Sequence, residues 1–367
     1  MSRLDRLIAE LCPDGVKCVS LGKIGTNLDS KRKPVTKGLR ETGKYPYYGA
    51  SGIVDYVSDY IFDGDFLLIS EDGANLVARK TPIAFSASGK IWVNNHAHVL
   101  QFDTYETRRY VEIYLNSIDL SNYISTAAQP KLSQANLNKI PIPLPPFEVL
   151  REIVRILDNF TELTAELTAE LTMRKKQYSY YRNLLLTADK DTPCVSIDEI
   201  AIMKRGDYIT KKGSVEGDIP VILGGQEPAY YINTSNHEGE AIVISRSGAY
   251  AGFVSFWNQP IFVTDGFILE TKDKHLLKYL FYCLKNIQDE LHQTKRGGGV
   301  PHVRGNDIMK IKIPVPSIEK QKRIVDILDR FDALTTDITI GLPAEIEARR
   351  KQYEYYRDKL LTFKELN

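Results

Sequence analysis

Lysine and arginine in this chain gather on loops rich in glycine and polar residues. In the first part they are Lys31 and Arg32, Arg79 and Lys80, Lys90, and Lys131. In the second part they are Lys211 and Lys212, Arg246, and the run Lys295-Arg296-Gly297-Gly298-Gly299, followed by His302 and Arg304. Glycine lets the backbone approach a neighbour closely, and Arg and Lys on such loops suit phosphate oxygens and the base edges of a DNA groove. Ser70, Asn75, Gln129, Gln226 and Tyr250 add groups that can hydrogen-bond to base edges. The chemistry on offer is recognition. No glycine fingerprint follows a strand and opens a helix, and the run at 297–299 lacks the phosphate-loop pattern. The histidines make no metal or triad spacing. Cys12, Cys18, Cys194 and Cys283 are too scattered for a zinc site and are expected as reduced thiols, with no metal in this chain.

Bulk composition neither demands nor forbids such a role. Lys plus Arg number 48 against 47 for Asp plus Glu, a net charge of +1. A DNA-binding protein needs positive charge only where phosphates sit, so segregation matters more than the sum. Hydrophobic residues make up 43% of the 367, enough for real cores and long enough for two or more domains. No apolar run approaches the ~18 residues of a membrane span, and the N-terminus lacks the apolar core of a signal peptide. The expectation is a cytoplasmic protein with no membrane association.

The elements that must position these loops occur twice. Leu144–Leu163, LPPFEVLREIVRILDNFTEL, matches Val315–Leu334, VPSIEKQKRIVDILDRFDAL, with Leu157 against Leu328, Asp158 against Asp329 and Phe160 against Phe331. A second block, KKQYSYYRNLLLT at 175–187, matches RKQYEYYRDKLLT at 350–362. Weaker matches lie upstream: GKYPYYGASG with GDIPVILGGQ, and ISEDGA at 69–74 with ISRSGA at 244–249. So long a period means tandem domains rather than a solenoid of short repeats.

From Phe147 to Leu186 there is no glycine or proline, and Ile153, Leu157, Phe160, Leu163, Leu167, Leu171, Tyr178, Tyr181 and Leu185 recur mostly at steps of three or four. That spacing predicts one helix with a coiled-coil-like stripe, roughly 60 Å long at ~1.5 Å per residue. The second copy has a matching stripe, so the two are expected to pack together. It also carries Gly341-Leu342-Pro343, and a break is expected near 341–343. Residues 1–145 and 188–316 hold short β-branched and aromatic runs such as DFLLIS and EAIVIS, each with one late helical stretch. The fold class expected is mixed α/β (α+β): two similar globular domains at 1–145 and 188–316, separated by two long, packed, antiparallel helices at 146–187 and 317–367, with a pseudo-twofold internal repeat.

Taken together, the LIAELCPDGV start, the IPIPLPP and IPVPS exits, the IVRILDNF and IVDILDRF helices, the TAEL repeats at 164–171 and the KQYxYYR blocks resemble the specificity (S) subunits of type I restriction–modification systems. The resemblance covers the whole chain in order. It implies two target-recognition domains, each reading one half of a bipartite, asymmetric site in double-stranded DNA. It further implies that the helices dock two methyltransferase (M) subunits and that restriction (R) subunits join. S-adenosylmethionine, ATP and magnesium would be held by those partners, with no cofactor and no catalytic residue in this chain. The TAEL repeats resemble the family's spacer-setting element. For partner docking the expected residues are Tyr178, Tyr181 and Arg182 in the first helix and Tyr353, Tyr356 and Arg357 in the second. With partners absent, exposed stripes of this kind would favour self-association.

Two rival readings compete. Leu144-Pro145-Pro146-Phe147 is similar to the Asn-Pro-Pro-Phe motif of adenine methyltransferases, but leucine stands where the asparagine that holds the adenine amino group is needed. A scaffold without a DNA role would share the repeated helices and lack paired basic surfaces.

Overall fold

The computed structural model describes residues 2–125, 129–297 and 299–366; Gly298 of the basic loop lies outside them. The chain forms two compact units: residues 1–166 with 346–367, and residues 167–345. Each unit joins one globular domain to parts of the long helical segments. A lone helix cannot bury its apolar stripe, so each half of the long helix joins the core of a globular domain.

The longer helices are α1 (Arg3–Leu11), α2 (Tyr105–Ser117), α3 (Phe147–Leu186), α4 (Lys274–Asn286), α5 (Ile318–Thr336) and α6 (Leu342–Leu361). None of the helices among the described residues is long and apolar enough to cross a membrane.

In the first unit, β1 (Cys18–Ser20) pairs with β8 (Pro141–Pro143). The strands β2 (Thr26–Asn27), β3 (Thr42–Gly49), β4 (Gly52–Val57), β5 (Phe62–Ser70), β6 (Ala84–Val93) and β7 (Ala97–Gln101) make one sheet in the order β2-β7-β5-β6-β3-β4. The run Phe66–Ile69 is buried on both faces. Leu67 and Ile69 pack with α2, whereas Phe66 and Leu68 join a separate cluster with Phe62, Ile91 and Val99. Side chains alternate across a strand, so a continuous apolar run is what a two-sided core requires.

The second unit repeats the plan. Its strands are β9 (Cys194–Ser196), β10 (Ile202–Arg205), β11 (Ile219–Ile222), β12 (Tyr230–Ile232), β13 (Ala241–Ser245), β14 (Val254–Trp257), β15 (Phe262–Val263), β16 (Gly266–Glu270) and β17 (Lys312–Pro314). The strands β9 and β17 pair as β1 and β8 do. The rest form two sheets, β10-β16-β13-β14 and β12-β11-β15. The single long β6 of the first unit corresponds to β14 and β15 here, separated by Asn258-Gln259-Pro260. Proline cannot donate to a ladder, which accounts for the split.

The helices join the cores as the stripe dictates. In the first unit Val149, Leu150, Ile153, Val154 and Leu157 of α3 are buried together with Leu361 of α6. In the second, Tyr178 and Leu186 of α3 are buried with Ile324 and Leu328 of α5. The early half of α3 thus meets the later helix α6, and its late half meets α5, the reversed order that antiparallel packing requires. Leu163, Leu167 and Leu171, midway along α3, are half buried.

The second long helix is interrupted between Thr336 and Leu342. The Asp337 carboxylate accepts from the Thr339 amide at 2.7 Å and the Ile340 amide at 3.3 Å, closing a local turn. A Cβ at position 341 would lie 2.4 Å from the Ala333 carbonyl oxygen, so only glycine fits this turn. Pro343 then sits in the first turn of α6, where its missing N–H costs nothing.

Candidate nucleic-acid interface

Each unit builds the same hub of loops at the end of its central strand. In the first, the Glu71 amide donates to the His96 carbonyl at 2.9 Å, the Gly73 amide to Pro130 at 3.1 Å, and the Leu132 amide to Glu71 at 2.8 Å. In the second, the Arg246 amide donates to Asp265 at 3.0 Å, the Gly248 amide to Pro301 at 2.9 Å, and the Val303 amide to Arg246 at 2.9 Å. The hubs therefore place Lys131 and His302 at equivalent points, each bridged to the strand-end loop. The β3–β4 turn joins the first hub, where Ser70 Oγ donates to the Ala50 carbonyl. Gly224, at φ +78°, joins the second: a Cβ there would stand 3.3 Å from the Ser247 carbonyl oxygen.

The second hub gathers most of the expected cations. Arg246, Tyr250, Lys295, Arg296 and His302 lie on its paired loops, with Gln226 beside Gly224 and Arg304 directly after Val303. Lys295 Nζ reaches the Ala249 carbonyl at 2.7 Å and ties the loops together. Tyr250, Gln226, Arg296 and Arg304 are exposed. Lys211 and Lys212 are exposed on a separate short turn, with no hydrogen bond to this hub among the described residues.

In the first hub Lys131 and Gln129 are exposed, and Lys31 is exposed on the neighbouring turn. Several expected contact residues have other work. Ser70 is fully buried, its hydroxyl spent on Ala50, so it cannot read a base edge. Arg32 is held inside the protein by Glu71 at 2.5 Å, Asp29 at 3.4 Å and the Ala97 carbonyl at 2.8 Å. Arg79 donates to the carbonyls of Leu115 at 3.3 Å and Ile118 at 3.0 Å, closing the C-terminal end of α2. Asn75 is turned onto Thr81, donating to its carbonyl at 3.0 Å and accepting from its amide at 3.1 Å. Lys80, beside Arg79, is exposed. Lys90 pairs across from Asp63, at the far end of β5 from Ser70, with its ammonium 4.6 Å from the Tyr60 ring centre. Seven residues at ~3.3 Å put roughly 20 Å between it and the hub.

Under the first hub lies a buried ionic network that sequence reading missed. His98 Nδ1 lies 2.6 Å from Asp29 and its Nε2 2.8 Å from the Leu132 carbonyl. Lys131 Nζ lies 3.0 Å from Glu71. Burial works against the Asp29 carboxylate, but His98, the Val99 amide and Arg32 outweigh it and hold its pKa below the ordinary value. Glu71 is likewise held low: burial opposes its charge, and Arg32, Lys131 and His98 prevail. Asp29, Glu71 and His98 offer donor atoms within 4.8 Å of one another, as a metal site would. Here the Arg32 guanidinium already stands among them and both His98 nitrogens are engaged, so the cluster is an ion-pair network. Glu71 was visible as a charge difference between ISEDGA and ISRSGA, which puts it opposite Arg246; Asp29 and His98 carry no such mark.

The docking residues divide by exposure. Tyr178 is buried and stacks on Phe331 with ring centres 5.9 Å apart; burial pushes its hydroxyl up to about 12. Tyr353 is half buried in the first core. Tyr178 therefore offers little surface to a partner. Tyr181 and Tyr356 are partly exposed, and Arg182 and Arg357 bond to Asn286 and Asp358. Tyr180 and Tyr355, absent from the expected set, are 63% and 61% exposed. They lie edge-on to Tyr181 and Tyr356 at 5.4 Å and 5.3 Å.

Two copies of one α/β domain, each with a polar loop hub and each rooted in long helices, define a protein of the tandem recognition-domain class. The model for the type I restriction modification DNA specificity domain matches residues 13–173 and 190–348, and the chain belongs to that family. A Haemophilus influenzae protein described as a type I restriction enzyme specificity subunit is 36% identical over 94% of both chains. A type I restriction enzyme specificity subunit of Escherichia coli is 34% identical over 70% of each. The fold is that of a type I restriction–modification S subunit from M. genitalium, with a TM-score of 0.64 at 16% identity, covering 96% of this chain and 98% of that one. Nothing supports the methyltransferase reading: Pro146 and Phe147 simply open α3, and the Val149 amide donates to the Pro146 carbonyl.

Proposed function

We propose that this chain is the DNA-specificity subunit of a type I restriction–modification complex, with each unit reading one half of a bipartite, asymmetric site. The repeated loop hub carries this reading. One backbone scaffold occurs twice with different side chains, as expected where two similar domains bind different sequences. Exposed Lys131 and Lys31 in one unit, and Arg296 and Arg304 in the other, supply phosphate contacts. The chain itself acts as a reader. Methyl transfer from S-adenosylmethionine and ATP-dependent, magnesium-requiring cleavage belong to methylation and restriction subunits in the cytoplasm. The α3 and α6 ends dock the methylation subunits, and Tyr180 and Tyr355 are the exposed aromatic anchors there.

The test is single-molecule methylome sequencing of cells with and without this gene. Loss of N6-methyladenine at one split, asymmetric motif is the expected result. If purified complex also shows no sequence preference on duplex DNA, the reading fails.

A further inference from the structure

Arg246 is held as a pre-positioned fork. Its Nε donates to Asp265 Oδ1 at 2.9 Å, its amide donates to the Asp265 carbonyl at 3.0 Å, and its own carbonyl accepts from Val303 at 2.9 Å. Asp265 is fixed in turn, because its Oδ2 accepts from Ser247 Oγ. The terminal nitrogens Nη1 and Nη2 of Arg246 have no protein partner among the described residues, and the side chain is 32% exposed. We propose that Arg246 reads a guanine in the half-site bound by the second unit, and that Asp265 is the positioning residue that presents its guanidinium. The proposal rests on the chain being a DNA-specificity subunit.

A planar guanidinium donates two parallel bonds to guanine O6 and N7, the commonest specific contact in the major groove. Holding Nε on a carboxylate leaves that pair of donors free and removes rotamer freedom before binding. A phosphate contact needs no such fixed plane, since a phosphate accepts from many directions. The setting also suits close approach to a base: Gly224 and Gly225 keep the adjoining turn narrow, and Gln226 and Tyr250 stand exposed beside it. The first unit has no such fork at the equivalent position, where Glu71 is consumed by Arg32 and Lys131. The guanine therefore belongs to one half-site only.

The experiment is selection from a randomised duplex DNA library by the full-length chain in complex with its methylation subunits, comparing wild type with Arg246→Gln and Arg246→Lys. Wild type should select a two-part site. Both variants should lose preference at a single G·C pair in one half, by roughly five- to 150-fold, with the other half unchanged. The lysine variant keeps the charge without the fork, and carries the test if the glutamine variant fails to fold. If folded variants retain every preference, or lose affinity uniformly with all preferences intact, Arg246 does not read a base, while the two-part wild-type site still upholds the specificity reading. A wild-type complex that selects no two-part site overturns both.

Discussion

Glu71 and Arg246 stand at the same position of the two repeats, each directly after a buried serine, and carry opposite charges on one backbone scaffold. The amide of each donates to a turn, His96 or Asp265, and the carbonyl of each accepts from the loop that brings in Lys131 or His302. The main-chain hydrogen bonds that the two hubs share do not depend on the side chain displayed. That independence lets one fold serve two different surfaces. In the first unit the acid is drawn inward to Arg32 and His98; in the second the base is turned outward on Asp265.

The inward arrangement makes the first unit acid-sensitive. Asp29 and Glu71 have folded-state pKa values below their ordinary ones. Their contribution is fully present above the unfolded carboxylate value of ~4 and is lost as pH falls through the lower folded value. Urea unfolding should show stability level from about pH 7 to 5 and dropping below about pH 4. Asp29→Asn should flatten the acid limb and cost about 3–5 kcal/mol at pH 7, as expected when one partner of a buried pair is removed. An acid limb unchanged in that variant would mean the network does not set the pH response.

Each domain is also anchored to the long helix that follows it. Asp158 of α3 accepts from Tyr105 at 2.8 Å and from Arg109 at 2.7 Å on α2; Asp329 of α5 accepts from Tyr282 and lies 3.4 Å from Lys278 on α4. These pairs are partly buried, so they exceed a surface salt bridge in strength. A double-mutant cycle on Arg109→Ala and Asp158→Ala should return a coupling of about 1–3 kcal/mol. Additivity within about 0.3 kcal/mol would show that the anchor is not energetic.

Docking of methylation subunits should follow exposure rather than sequence block. Tyr180→Ser and Tyr355→Ser should leave thermal unfolding within a few degrees of wild type and weaken assembly, measured by size-exclusion chromatography of the mixed subunits. Tyr178→Ala should instead lower stability by about 2–4 kcal/mol, because it empties a site against Phe331. Assembly undiminished in both serine variants would move the interface elsewhere.

What was legible in the sequence was whatever one period or one repeat could encode. The stripe from Ile153 to Leu185 marked α3, and Gly341-Leu342-Pro343 marked the region where α5 and α6 part. The apolar runs at 66–69 and 241–244 marked the central strands. Side-chain use was not legible, because a local pattern does not say which way a residue turns. Arg32 and Arg79 look like surface cations in sequence, yet each is held by groups distant in sequence, between 36 and 65 residues away, and Arg32 by nearby Asp29 as well. Tyr178 and Tyr180 share one motif, but at ~100° per residue they face different ways, and only the packing of Phe331 decides which is covered.

The TAEL repeat gives the last prediction. Thr161–Leu171 is helical throughout, and Thr161 and Thr172 return their hydroxyls to the carbonyls four residues earlier, at 3.1 Å and 2.9 Å. Deleting Thr168–Leu171 shortens α3 by ~6 Å and removes about 1.1 turns, so the stripe rotates by only ~40° and still meets its partners. A deletion of two residues would turn the stripe by ~200° and set it against solvent. The four-residue step thus changes length while sparing the seam. The deleted protein, in complex with its methylation subunits, should select both original half-sites with a spacer shorter by one or two base pairs of ~3.4 Å. The two-residue deletion should lose cooperative unfolding. If the four-residue deletion selects an unchanged spacer, the length of α3 does not govern the distance between the half-sites.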